Sequence, residues 1–401
     1  MSETVDRRRF LGLAGGAGAG LVVASWSWSG APAQAATVAH RYEYVFTTGT
    51  ASVYDMDHGH RLVTTLALGS DVIRIRGACF SPVTGQLYVS YLGPTSDPGT
   101  HGYLLRYDLA RRARVWRHTF AAGQVDSMDI TPDGLRIYLP TGATQTQTTT
   151  WRVLRGWTGA QVAEVAVALQ PHDTVVSLDG KEAYLGAIGS EYLWVLDTAT
   201  NRIVRKVGPL GAGGPPGGGG VHPFTINGRH TRTFVSVLDL LGFVVADLVT
   251  GKLLFRVDLT KLGFSWPDGP TGEPSHGVSL SPDETELYVI DKPNNMVHVF
   301  AVTGVTATPP IAPRLVASIA LQGSLTGTQS TGAPKEGWVQ HSLDGRFVYV
   351  GDAGDVINTS TRTTALVLNK LADTRISLEI DFDASGHPIA TSSRTGIGRV
   401  A

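Results

Sequence analysis

Ser275-His276-Gly277-Val278-Ser279-Leu280-Ser281-Pro282-Asp283, followed by Leu287-Tyr288-Val289, reads as a strand, a Pro-Asp turn and a second strand. That is the pattern of a β-hairpin. Versions of it recur along the chain. Aligned on the aromatic that opens the second strand, they fall at Tyr88, Tyr138, Tyr184, Phe234, Tyr288 and Tyr349. Twelve positions earlier stand Arg76, Asp126, His172, His222, His276 and Gly337. Turn residues separate the two strands in each copy: Ser81-Pro82, Pro132-Asp133-Gly134, Asp179-Gly180, Asn227-Gly228 and Asp344-Gly345. A weaker seventh copy is Leu378-Glu379-Ile380-Asp381-Phe382, with its turn at Ser385-Gly386.

The copies are spaced about forty to sixty residues apart, the period of propeller blades. After each hairpin comes a third strand ending in Asp, as at Tyr107-Asp108, Leu196-Asp197 and Ala246-Asp247, then a polar turn and an outer strand. These aspartates read as turn caps that accept backbone N–H groups. The chain begins differently. Tyr42 to Phe46, Ala51 to Tyr54 and Leu62 to Leu68 read as three strands with no inner strand before them. The last copy has inner strands and little after them. The two ends are therefore expected to share one blade, closing an all-β, seven-bladed ring by pairing N-terminal outer strands with C-terminal inner strands.

Composition agrees with this. The chain has 401 residues, of which 48 are Gly, and its 33 Lys and Arg nearly balance 34 Asp and Glu. Many tight turns need the glycine. Balanced charge gives no electrostatic case for nucleic acid or an anionic membrane. Residues 1–35 read as a twin-arginine signal: Arg7-Arg8-Arg9-Phe10-Leu11, an apolar Gly/Ala-rich run, and the cleavage site Ala33-Gln34-Ala35. Residues 36–401 then form a single exported propeller, periplasmic, cell-surface or secreted, monomeric and with no membrane span. The one cysteine, Cys79, lies beside Phe80 on an inner strand and reads as buried and inert.

The repeats resemble those of the YncE-like, or YVTN-type, seven-bladed β-propellers. The resemblance rests on Ser275 to Asp283 with Glu286-Leu287-Tyr288-Val289, on Val297-His298-Val299-Phe300, on Gly351-Asp352 through Asp355-Val356-Ile357, and on Leu378 to Phe382. It covers the chain from about Tyr42 to the end. It implies the fold; it implies no particular reaction, since propellers host unrelated chemistries.

In such a ring the loops between one blade's outer strand and the next blade's inner strand lie around the mouth of the central channel. Here residues 208–220, 262–275 and 323–336 form long loops, a surface for a small molecule or a protein. The run Gly217-Gly218-Gly219-Gly220 lacks the Lys-Ser/Thr of a phosphate loop. The sharper signal is at the repeat's start, where three successive blades place His172, His222 and His276. Arg76, Asp126, Glu336 and Glu379 are expected beside them. Three converging imidazoles with carboxylates nearby form a ligand set for a divalent transition metal, with proton competition expected near about pH 6.5. Hydrogen-bonded channel histidines without a metal would leave the same sequence. Two readings follow: an exported propeller that binds a ligand or partner over the channel, or a metal-dependent enzyme of lyase, lactonase or oxidase class using the His trio. His58-Gly59-His60 reads as a solvated turn, and Asp55-Met56-Asp57 lacks the later ligands of a calcium loop.

Overall fold

The computed structural model describes residues 37–400 except 94–100, 121–124, 143–147, 212–218, 268–271 and 394. The signal and cleavage residues lie outside the described residues, as do Gly217, Gly218 and Pro270. Strands β1 to β29, numbered in chain order, form seven antiparallel sheets. Six are four-stranded and run in sequence order. The seventh joins the two ends of the fold, in the order β29 (Pro388–Thr391), β28 (Ser377–Phe382), β1 (His40–Thr47), β2 (Thr50–Asp55), β3 (Arg61–Ala67). The protein is an all-β, seven-bladed β-propeller.

The innermost strands of the first six blades are β4 (Ile73–Ser81), β8 (Asp129–Ile130), β12 (Pro171–Val176), β16 (Val221–Ile226), β20 (Val278–Leu280) and β24 (Trp338–His341). The second strands are buried almost throughout, as in β5 (Gln86–Leu92). The outermost alternate between exposed and partly covered residues, as in β15 (Arg202–Val207). Apolar burial therefore lies between blades, on both faces of each sheet. The repeat aromatics are the anchors: Tyr88, Tyr138, Tyr184, Phe234, Tyr288 and Tyr349 are all fully buried. Several hydroxyls reach the next blade, as a buried tyrosine must find a partner. Tyr88 donates to Gly156 O at 2.8 Å, Tyr138 to Asn201 Oδ1 at 2.9 Å, and Tyr349 Oη lies 2.8 Å from His60 Nε2. His60 is thus buried between blades, whereas the sequence suggested a solvated turn; its imidazole is the partner that Tyr349 requires.

The aspartates at the third-strand ends cap turns. Asp108 accepts the N–H of Arg111, Asp197 that of Thr200, and Asp247 those of Val249 and Thr250. Asp55 does the same for Asp57 and His58. Cys79 is buried, and burial pushes its thiol well up, which keeps it protonated and inert.

At the closure, β1 (His40–Thr47) pairs with β28 (Ser377–Phe382), with Tyr44 opposite Leu378 and Glu43 opposite Glu379. Because β1 takes the outer edge of β28, its hairpin partner β29 (Pro388–Thr391) can pair only on the inner edge, toward the channel. The closing blade therefore has a fifth strand on the channel side. Beyond it, residues 395–400 lie against the ends of the inner strands opposite the repeat starts. Leu280 N–H donates to Gly396 O, Gly398 N–H to Ile226 O, and Arg399 N–H to Pro282 O. Thr225 Oγ1 adds a 2.8 Å bond to Gly396 O. Gly396 has a φ of 44°, and a Cβ there would run into Ser279 Oγ, so both backbone sign and space call for glycine.

This seam buries three carboxyl groups, Glu43, Glu379 and Asp381. Burial pushes Glu43 up to about 8, against a smaller opposing effect of its hydrogen bond to Ser377. Burial, with repulsion from Asp381, likewise raises Glu379, and burial raises Asp381 against the lowering effect of its hydrogen bond with Glu379. The folded protein keeps protons that the unfolded chain gives up near 4.5. Unfolding therefore releases the Glu43 proton across that interval, and this contribution to stability is fullest below it and is lost as pH rises toward about 8. Relative to Glu43→Gln, the melting temperature of wild type should fall by roughly 5 °C or more between pH 5 and pH 8.5, a steeper downward slope with pH. A slope unchanged in Glu43→Gln would remove Glu43 as its source.

Candidate metal centre at the channel mouth

Each inner strand begins at the mouth three residues before the residue that pairs with the repeat aromatic. His172, His222 and His276 hold that place relative to Val175–Tyr184, Thr225–Phe234 and Ser279–Tyr288. Strand register thus carries three imidazoles from adjacent blades to one level. Their ring centroids are 5.3 Å (His172–His222), 5.4 Å (His222–His276) and 5.8 Å (His172–His276) apart. One ring nitrogen of each lies within 4.8 Å of the others. All three rings are buried.

The surroundings fix the outer two rings. His172 Nδ1 lies 3.4 Å from Asp126 Oδ2, and Arg76 pairs with the same oxygen at 2.7 Å. Burial alone would raise the Asp126 carboxyl, but Arg76 and His172 hold it well below the usual carboxylate range. His276 Nδ1 lies 3.1 Å from Gly337 O, so Nδ1–H donates there and Nε2 carries the lone pair. Glu336 Oε2 stands 3.7 Å from that Nε2 and is paired with Arg375. An arginine–carboxylate–histidine chain therefore flanks each side of His222. His172 Nε2 and both nitrogens of His222 have no hydrogen-bond partner within the described chain. Burial holds His222 down to about 4 and, with the charge of Arg375, holds His276 well below its ordinary value. Both rings are neutral at pH 7, the form that ligates metals. Proton competition for these rings lies well below the 6.5 expected from sequence, because the rings are out of water.

One expected member is elsewhere. Glu379 is not at the mouth: its Oε2 accepts the N–H of Leu343 in the turn after β24, toward the opposite end. The seventh mouth position belongs to Arg375, three residues before Leu378, the partner of Tyr44. Aligning the last copy on its own hairpin placed it four residues out. Tyr44-Val45 was the signal that could have corrected this, since it matches Tyr88-Val89. Gly337 fills the sixth position and Glu336 precedes it. Sequence reasoning also missed Glu273, from the loop before β20, whose Oε1 is 3.5 Å from His222 Nε2. Arg76, Asp126, the three histidines and Glu336 do come together.

No protein-family model matches the sequence, and no curated protein matches it. Solved structures do. A periplasmic gluconolactonase of Pseudomonas aeruginosa superposes with a TM-score of 0.59 at 16% identity, covering 89% of this chain and 97% of its own. Kuenenia stuttgartiensis hydrazine synthase gives 0.57 at 15% identity, over 78% of this chain and 90% of that one. The Cps50 (Swd1) β-propeller domain of Myceliophteria thermophila gives 0.53 at 11%, over 80% and 90%. These likenesses show the fold alone. Among the described residues, no helix is long and apolar enough to cross a membrane.

Proposed function

We propose that the channel mouth is a metal centre in which His172, His222 and His276 hold one divalent transition-metal ion, on an exported propeller of YncE-like type. One observation carries the reading: three buried imidazoles from adjacent blades converge, and His172 Nε2 and both nitrogens of His222 find no hydrogen-bond partner among the described residues. Leaving a buried polar atom unpaired costs about 1–3 kcal/mol, so the unpaired nitrogens of His172 and His222 favour a bound cation over a purely structural cluster.

The bound ion would supply Lewis-acid polarisation or a redox couple. The rest belongs to the chain. Asp126 accepts from His172 Nδ1 and turns its Nε2 toward the shared volume; Arg76 fixes Asp126 in turn. The carbonyl of Gly337 does the same for His276. Such outer partners set tautomer and ring direction. Glu273 and Glu336, from the loops before β20 and β24, stand beside the histidines on the side from which a small substrate or ligand would reach the ion. A metal-dependent enzyme of lactonase, lyase or oxidase class is therefore favoured over a propeller that only docks a partner.

The deciding measurement is metal content of protein recovered after export by its natural route. About one equivalent of a single transition metal is expected; metal-free protein that also takes up none on addition would overturn the reading. Export itself is tested by N-terminal sequencing of the secreted form, which should begin at Ala36. Retention of Trp26 or Trp28 would contradict it.

A further inference from the structure

We infer that Glu273 is a fourth protein ligand, making the set three imidazole nitrogens and one carboxylate oxygen; this rests on the metal reading above. Its Oε1 lies 3.5 Å from His222 Nε2, a nitrogen with no hydrogen-bond partner. That separation suits two atoms bound to one ion. Ligands about 2.1 Å from a tetrahedral centre stand about 3.4 Å from each other. Glu273 also falls in a second cluster, with His276 and Glu336, whose ligand atoms all lie within 4.8 Å.

The two clusters share His276, and His276 has only Nε2 to give, because Nδ1 faces the carbonyl of Gly337. The two sets meet at that nitrogen, and a swing of the Glu273 carboxylate toward His222 would bring it to the ion of the histidine trio. The other two carboxylates nearby are each clamped by an arginine, Asp126 by Arg76 and Glu336 by Arg375. An arginine compensates a carboxylate's charge and fixes its oxygens. The ion pair of Glu273 is with His222. Its side chain is 33% exposed, while that of His222 is 3% exposed. It thus stands on the solvent side of the ion, reached from a loop, while the histidines come from inner strands. Three imidazoles with one carboxylate select Zn²⁺, Co²⁺, Ni²⁺, Cu²⁺ or Fe²⁺ over Mg²⁺ and Ca²⁺, which take oxygen ligands throughout.

Co²⁺ is the probe, because its visible spectrum reports both ligand number and type. Metal-free wild type, Glu273→Gln, Glu273→Asp and Glu336→Gln are titrated and followed by absorbance and calorimetry. Wild type should take one equivalent with an intense four-coordinate spectrum. Glu273→Gln should still take one equivalent through the histidines, with affinity on the order of 100-fold lower and a changed spectrum. Glu273→Asp should recover part of both, and Glu336→Gln should keep the wild-type band positions. Identical affinity and spectrum in wild type and Glu273→Gln would overturn the Glu273 assignment and leave the histidine site standing. Failure of wild type to bind Co²⁺, Zn²⁺ or Cu²⁺ would overturn the metal reading itself. Thermal melts of the metal-free variants should match wild type, which separates ligand loss from misfolding.

Discussion

Deleting the chain from Leu378 onward should abolish folding altogether. The truncated protein would lose its near-UV circular dichroism and show no cooperative melt. The deletion removes five of the six registered pairs between β28 and β1, leaving only Ser377 opposite Val45. It takes Leu378 and Ile380 out of a core shared with Tyr44, Phe46, Val53 and the first blade's Phe80 and Val89. Emptying the place of one such side chain costs about 2–5 kcal/mol. Two of them, with a strand of backbone hydrogen bonds, consume most of a typical stability of 5–15 kcal/mol. The exposed edge of β1 would also invite aggregation. Deleting only residues 393–401 is the contrast. It leaves β28 and β29 paired and should lower the melting temperature without destroying the transition. A chain ending before Leu378 that melts like wild type would refute the account of closure.

The second large effect concerns the histidines. His172→Ala combined with His222→Ala should reduce metal binding from stoichiometric to undetectable at micromolar concentrations. One imidazole and one carboxylate cannot hold a transition metal against water at that level. Metal-free stability should move little, because both rings bring unsatisfied nitrogens into the fold. Wild type should gain thermal stability on metal addition, about 2.7 kcal/mol at a hundredfold excess over Kd. The double variant should gain none. Persistence of that gain in the double variant would place the ion elsewhere.

The fold was legible because the repeat is written in few letters. An aromatic that must be buried, a turn and a twelve-residue offset recur, and each is forced by the same register between the first and second strands. That offset also delivered the three histidines to one level. What stayed hidden depended on pairing between remote parts of the chain. Arg375 can be found only by knowing that Tyr44 pairs with Leu378. Glu273 sits in a loop with no repeat to index it, so spacing gave no signal. Glu379 was misplaced because a hairpin at the chain's end looks like the others yet folds inward, its outer edge already taken. The burial of His60 likewise follows from a hydroxyl on a different blade.

The closing seam also governs how the molecule folds. Tyr42 and Ile380 are adjacent in space and about 340 residues apart along the chain. Every other blade assembles from strands that follow one another directly. Blades one to six can therefore form locally, while β1 to β3 wait for the last strand to arrive. Loop closure over that distance makes this docking the natural slow step. Weakening β28 should then retard refolding, whereas an equal loss within a middle blade should mainly hasten unfolding.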